Sequence, residues 1–428
     1  MAKKKVIILG GGLAGLAAAG LILRKEPNTE LTLIEKQPYL GGLASSIMFQ
    51  GYEVPRYYHH VISSNTQTIK MLKRFGMDKG LEWKRIHIAI GANGEYKEIN
   101  NVSQLFSFKY LSLKEKLDFL RFGAYVIFLM NPKKIPDSMD AKAWLKKTAG
   151  KVVTDKVFTP LYAENKFNVS LSEISAKQFA NRLKEREVYD KFAYPKQGLG
   201  RLIDCLAGEI EKRGGRIITS AEIKRIETEK RSVEFWHKQK EKIEADYIIS
   251  TIPIPEFLKL ATRLPEDYKK NISKVRYCPA VCMAFAEKEF LDKRIYWLNL
   301  LKEPAQVLIQ HSVLHDAYPF RLNWALRYGG SEEDIELSDA EITSKYSKSI
   351  RKYFPKAKIM HPFVSREKYA EPIYDKHYSE YAPKTETPMK GIFFSGIQVT
   401  FPKIRNMNSA IESGLEAGAR VISELRKE

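Results

Sequence analysis

The residues with the clearest chemical use stand at the start of the chain. Gly10, Gly12 and Gly15 fall on a G-x-G-x-x-G spacing directly after the apolar run Val6-Ile7-Ile8-Leu9. The first glycine permits a tight turn, the second lets a pyrophosphate approach the backbone, and the third lets a helix pack on the strand. A helix beginning at Leu13 and Ala14 would offer free N–H groups and a partial positive charge to the phosphates. Leu31-Thr32-Leu33-Ile34 reads as the next strand. Glu35 ends it, where a carboxylate accepts hydrogen bonds from ribose hydroxyls. Strand, glycines, helix, strand and terminal acid in this order point to an adenine dinucleotide.

Other candidates are less specific. Gly41-Gly42, just past Lys36, lets backbone pass close to a ligand. His59 and His60 follow an expected hairpin, Ser46–Phe49 with Tyr52–Val54. An imidazole there can move a proton near neutral pH, which makes His60 the catalytic candidate. A histidine bonded into a domain junction, or one touching the cofactor through its backbone, explains the pair equally well. Arg366 and Tyr369 are candidates for the substrate side or, alternatively, ordinary sheet residues. No metal is expected.

The elements that must position these residues follow from periodicity. A short helix is expected at Ile69–Phe75, and a hairpin joins Trp83–Ile90 to Tyr96–Ile99 around Asn93-Gly94. From Leu113 to Leu183 the pattern turns helical. The run Phe122–Met130 is strongly apolar but nine residues long, short of the ~20 that span a bilayer. Two readings stay open for it: a helix buried against its own lobe, or one lying at a membrane surface between Lys114, Lys116, Arg121, Lys133 and Lys134. A helix Leu202–Lys212, a strand Arg216–Thr219 and an apolar strand stopped at Pro253 come next. The latter carries Ser250 and Thr251 at the end where open α/β sheets place ligands. Pro279–Phe285, Val307–Val313 and Phe320–Leu326 read as a second sheet, with a helix Ser338–Phe354 capped by Ser338 and Glu341. Lys390–Ser395 is a last strand ending at Gly396. The closing helix begins near Met407, with Ala410, Gly414 and Gly418 forming a groove of small residues for another helix or a ligand.

The 428 residues allow a large core in two or three lobes, and 44% hydrophobic with 29% charged content is ordinary for a globular protein. Three cysteines, without a C-x-x-C pair, fit a reducing cytoplasm. Met-Ala-Lys-Lys-Lys runs straight into the first strand, which leaves no room for a signal peptide. The net charge of +20 is spread without a long basic block, so no nucleic-acid arm is read. Anionic lipid at the inner membrane face, an anionic substrate and plain solubility all accommodate that charge.

Gly10-Gly11-Gly12-Leu13-Ala14-Gly15-Leu16, Glu35-Lys36, Gly41-Gly42, Ser250-Thr251-Ile252-Pro253 and Gly396…Arg405-Asn406-Met407-Asn408 together resemble the FAD-dependent superfamily of amine oxidases, protoporphyrinogen oxidase, phytoene desaturases and, more distantly, UDP-galactopyranose mutase. Tyr58-His59-His60-Val61 is similar to a protoporphyrinogen-oxidase-like prokaryotic branch. The resemblance implies an α/β fold: a Rossmann-like FAD-binding domain of glutathione-reductase type, a mixed-sheet substrate domain and a helical insert. The expected boundaries are 1–75 with 196–255 and 385–428 for the first, 76–110 and 256–384 for the second, and 111–195 for the insert.

The resemblance further implies that FAD contacts Gly10, Gly12, Leu13, Ala14, Gly15, Glu35, Lys36, Gly42, Leu43, Ala44, His59, His60, Ile223, Thr251, Gly396, Met407 and Asn408. With no cysteine after Cys282, the FAD is expected to be non-covalent. The implied activity is oxidation or desaturation of an apolar small molecule by hydride transfer to flavin N5, with an unidentified electron acceptor. The alternative is a redox-neutral, flavin-dependent rearrangement of a nucleotide sugar.

Overall fold

The computed structural model describes residues 3–98, 102–167, 169–184, 190–328 and 332–427. Four of the apolar runs named above assemble, with Arg216–Ile218, into one five-stranded parallel sheet. Its order is Arg216–Ile218, Glu30–Ile34, Lys5–Leu9, Tyr247–Ser250 and Ile392–Phe394. Pairing is in register, with Ile8 opposite both Leu33 and Ile249. Strands of a parallel sheet are covered on both faces, which is why these run apolar without alternation. Three separated stretches of chain therefore build one sheet. Gly10, Glu35, Thr251 and Ser395 all follow the carboxyl ends of its strands, and the strand order reverses at Lys5–Leu9, the place where such sheets bind ligands.

The helix Leu13–Lys25 and the closing helix Met407–Leu425 pack on each other against this sheet. The groove of small residues on the closing helix serves that contact: Gly414 faces Ala14 and Gly418 faces Ala18. Asn406 caps the closing helix, its Oδ1 accepting from the Ser409 amide at 3.0 Å while Ser409 Oγ accepts from the Asn406 amide at 3.0 Å.

A second, seven-stranded sheet runs Met360–Pro372, Tyr277–Glu287, Arg321–Tyr328, Val307–Gln310, Ile295–Leu300, His87–Ala92 and Glu95–Glu98. The expected Val307–Val313 strand stops at Gln310 and turns into a short helix, His311–Leu314. The expected hairpin strand at Trp83 splits, Lys84–Arg85 joining a small separate sheet. Ile99, the end of its partner, lies outside the described residues. Side chains alternate along Tyr277–Glu287 as strand geometry requires. Val281, Met283 and Phe285 pack against the helix Asp339–Tyr353, whereas Cys282, Ala284 and Ala286 join the core shared with the parallel sheet. That helix carries the expected capping box of Ser338 and Glu341.

The stretch from Leu113 to Leu183 has its own core around Trp144, Phe158 and Phe179. The apolar run Phe122–Met130 is partly buried and partly exposed. The helix Leu113–Ala124 widens into a π-helical turn at Tyr125–Leu129. Phe122, Val126 and Met130 point inward, while Ile127, Phe128 and Leu129 are exposed. Among the described residues no helix is long and apolar enough to cross a membrane.

Candidate functional site

The glycine junction is held by backbone. The Gly10 amide donates to Ile34 O at 2.8 Å and the Gly41 amide to Gly11 O at 2.8 Å. These bonds bring the turn after the first strand against the turn after the second, and Gly12 pairs with Gly41 in an isolated bridge. A Cβ on Gly12 would meet nothing nearer than the Gly42 Cα at 4.0 Å, so the backbone there borders open space that a side chain would fill. The helix behind it has Gly12 as its N-cap, no side-chain cap and no acid in its first turn. Its leading N–H groups therefore have no partner of their own and suit phosphate oxygens.

Glu35 is tied into the same junction. One carboxylate oxygen accepts from the Gly11 amide at 2.7 Å and the other from the Gln37 amide at 2.8 Å. A carboxylate has about four acceptor positions, so two remain for ribose hydroxyls. Lys36 is exposed beside it and Ile223 is half-buried on the neighbouring strand Glu222–Glu227. The open glycine backbone, uncapped helix and anchored acid fit the adenosine and pyrophosphate of FAD.

From this junction the chain runs through the hairpin Ser46–Phe49 and Tyr52–Pro55 to the second sheet. Gly42, Leu43 and Ala44 form a single 3-10 turn that leads into it. Arg56 follows, its Nε donating to Ser45 Oγ at 3.3 Å and its guanidinium lying 4.3 Å from the Tyr39 ring centroid. No carboxylate among the described residues pairs with it. It is a half-buried cation beside the glycine junction that spacing alone did not single out. The arginine two residues past a hairpin, with tyrosines near it in sequence, was the available signal.

The seam between the two sheets is lined with rings. Tyr58 lies edge-on to Trp297 at 5.4 Å, His60 stacks near Phe192 at 4.5 Å, and Tyr194 meets His311 at 4.6 Å. His60 Nδ1 shares a 3.1 Å hydrogen bond with the Tyr296 hydroxyl. His59 instead turns its Nδ1 to the Tyr57 carbonyl at 3.0 Å, and burial lowers its pKa. His311 is fully buried, and neither ring nitrogen has a partner among the described residues; the nearby Trp324 Nε1 likewise has none. Burial holds the His311 pKa well below the ordinary imidazole range, with His315 and His60 adding to the effect. Of these rings only Tyr58, His59 and His60 were singled out in advance, because strands 230 residues and more from Tyr58 supply most of the others.

Six of the expected site residues have their side chains or amides engaged as follows. Arg366 pairs with Asp339 at 2.6 Å and donates to Leu337 O at 2.6 Å, on the face of the seven-stranded sheet that carries the helix Asp339–Tyr353, away from the seam. The Tyr369 hydroxyl donates to Glu256 at 2.7 Å. Glu256 feels the charge of Lys36, and the adjacent Glu367, pushed up by burial, also feels Glu35. The Asn408 carboxamide oxygen accepts from the Gln67 and Thr68 amides at 2.8 and 3.2 Å, capping the helix Thr66–Arg74, so its side chain is not turned to a flavin. Thr251 spends its hydroxyl on Leu9 O at 2.8 Å. The Gly396 amide donates to Ser413 Oγ at 2.9 Å, and Met407 is buried in the shared core.

A parallel sheet with its ligand edge at a glycine junction is joined along a ring-lined seam to a second sheet, an arrangement that suits a bound dinucleotide. A model of the flavin-containing amine oxidoreductase family matches residues 13–422, and the chain belongs to that family. It is an FAD-dependent oxidoreductase. A coproporphyrinogen III oxidase of Bacillus subtilis (strain 168) is 35% identical over 80 residues, 18% of this chain and 17% of that protein. Among solved structures, reduced UDP-galactopyranose mutase superposes with a TM-score of 0.79 at 15% identity, covering 99% of this chain and 95% of that one. Putrescine oxidase bound to putrescine gives 0.77 at 16%, covering 98% and 99%. At these identities the two structures speak for the fold.

Proposed function

We propose that this protein oxidises or desaturates an apolar organic molecule held at the seam, with FAD bound non-covalently. The observation that carries the reading is the chemistry of that seam. Tyr58, Phe192, Tyr296, Trp297 and Trp324 supply flat apolar area, and the small residues Cys282, Ala284 and Ala286 face it from the sheet. Lys84, whose charge His315 feels, donates its Nζ to Leu314 O at 2.9 Å and to Val313 O at 3.4 Å. A nucleotide-sugar diphosphate would call for several uncommitted cations in such a place. Neutral rings favour an apolar guest.

Bound FAD supplies the two-electron acceptor. The amides of Leu13, Ala14 and Gly15 hold its phosphates, and Glu35 holds its ribose. Tyr58, Trp297 and Phe192 orient the substrate and keep water out. His60, whose Nδ1 shares a hydrogen bond with the Tyr296 hydroxyl, is the imidazole that lies among these rings.

The test is anaerobic mixing of the holoenzyme with porphyrinogens, polyenes, amines and nucleotide sugars, following the flavin's visible absorbance. Bleaching by a porphyrinogen or a polyene is the expected result. Turnover of a nucleotide sugar only after prior reduction of the flavin would overturn the reading in favour of a mutase, and bleaching confined to amines would overturn the apolar substrate.

A further inference from the structure

Large hydrophobic side chains are unevenly exposed on this molecule. Of twelve such residues among those described, eight lie between positions 102 and 152: Val102, Phe106, Leu113, Leu117, Ile127, Phe128, Leu129 and Val152. Phe128 and Leu129 are 79% and 77% exposed. They are not scattered. The helix Leu113–Ala124 turns Leu113, Leu117, Arg121 and Ala124 to solvent, and Phe128 continues the stripe after the π turn. The short helices Val102–Ser107 and Lys151–Val153 pack against this helix, bringing Phe106 and Val152 to its flanks. Lys116 Nζ donates to Phe106 O at 2.7 Å, which fixes the first of these.

Charge surrounds the patch. Lys109, Lys114, Lys133 and Lys134 are exposed and make no ion pair among the described residues. From 102 to 152 the chain carries ten lysines and arginines against four acids. An apolar stripe along one helix face with lysines at both ends suits a helix lying in the headgroup region of an anionic bilayer. A protein partner with an acidic rim is less well matched, because the most exposed side chains, Phe128 and Leu129, stand outward from the lobe.

We propose that the helical lobe docks on an anionic lipid surface, inserting Ile127, Phe128 and Leu129 while the lysines meet the headgroups. The π turn is the local device. Widening the helix by one residue per turn takes three consecutive apolar residues out of the lobe's core while Phe122, Val126 and Met130 keep it closed. This proposal is independent of the substrate, since binding is read without turnover.

The experiment is flotation of the full-length holoenzyme with vesicles of phosphatidylcholine alone or mixed with phosphatidylglycerol, at low and high salt. The wild type should float with the mixed vesicles and release as salt rises, because exposed charges are screened. Phe128→Ser with Leu129→Ser should lower the partition coefficient about tenfold or more with unchanged melting temperature and flavin absorbance. Lys133→Glu with Lys134→Glu should abolish the preference for anionic lipid. Failure of the wild type to float, or equal flotation of the serine variant, would overturn the proposal. So would light scattering that shows a wild-type dimer converted to monomer by the serine pair, for then a second copy covers the face.

Discussion

Gly414→Ala tests whether the closing helix positions the cofactor cradle. A methyl carbon there would run into the Ala14 carbonyl oxygen and lie 2.9 and 3.0 Å from Ala14 C and Cα, all backbone atoms that cannot swing aside. Non-bonded carbons pack at about 3.5–4.0 Å, so the helices must part by between about half and one ångström. Overpacking of this kind costs about 1–3 kcal/mol, against a gain of about 1 kcal/mol for alanine over glycine inside a helix. Gly418→Ala is the internal control, because its methyl would sit 3.2 Å from Ala18 O and 3.4 Å from Ala18 Cα, a mild squeeze. The expectation is a lowered melting temperature for Gly414→Ala and little change for Gly418→Ala. Ala14 belongs to the first turn of the helix that faces the phosphates, so Gly414→Ala should also shed flavin faster, read as fluorescence of released FAD. A Gly414→Ala protein that melts at or above wild type and keeps its flavin would refute the reasoning.

Glu35→Ala removes the acceptor of the Gly11 and Gln37 amides as well as the ribose contact, and should raise the FAD dissociation constant about tenfold or more, each tenfold being about 1.4 kcal/mol. Unchanged FAD occupancy after dialysis would remove Glu35 from the site. Asp334, almost fully buried, accepts from Lys345 at 2.6 Å and Arg327 at 2.7 Å. Burial pushes its carboxyl up, but those two cations outweigh it and bring it below its ordinary value of 3.8. Asp334→Asn should therefore cost about 2–4 kcal/mol at neutral pH, toward the lower end because Lys345 is 34% exposed. A depressed carboxyl stabilises the fold above its unfolded pKa and loses that contribution as pH falls, so the melting difference should close below pH 3.8. A difference that stays constant as pH is taken well below that value would show that the pair is not responsible.

How much could be read in advance depended on how local each feature is. The cofactor edge is local: strand, glycine spacing and terminal acid are written within Val6–Glu35, and the structure ties Gly11 to Glu35 directly. Helix caps are equally local, as Ser338 with Glu341 shows. Arg366 went wrong because facing direction on a strand depends on parity. The pairing of Met360–Pro372 with Tyr277–Glu287 shifts register twice, between Cys278 and Ala280 and between Ala284 and Ala286. Each such irregularity can reverse inside and outside beyond it, and no local pattern announces it. The capping role of the Asn408 side chain was not legible for a different reason, its partners lying 340 and 341 residues away on the helix Thr66–Arg74.

The same division explains why the cofactor and not the substrate follows from the fold. Superposable neighbours carry names as different as UDP-galactopyranose mutase and putrescine oxidase, so the frame itself does not choose a substrate. The choice falls to the rings at the seam, and those are brought together by pairings such as Trp297 with Ile88 and Trp324 with Ala284. Tyr58 reaches them only because the chain leaves the glycine junction through the Ser46–Pro55 hairpin and is pinned by the Tyr57 hydroxyl to Arg366 O at 2.9 Å. This hydrogen bond is among those that join the segment leaving the glycine junction to the seven-stranded sheet. Tyr57→Phe, which keeps the ring and removes that bond, should therefore slow substrate reduction of the flavin while leaving FAD binding and the melting temperature nearly unchanged. Equal loss of FAD binding and of reduction rate would show instead that Tyr57 supports the glycine junction alone.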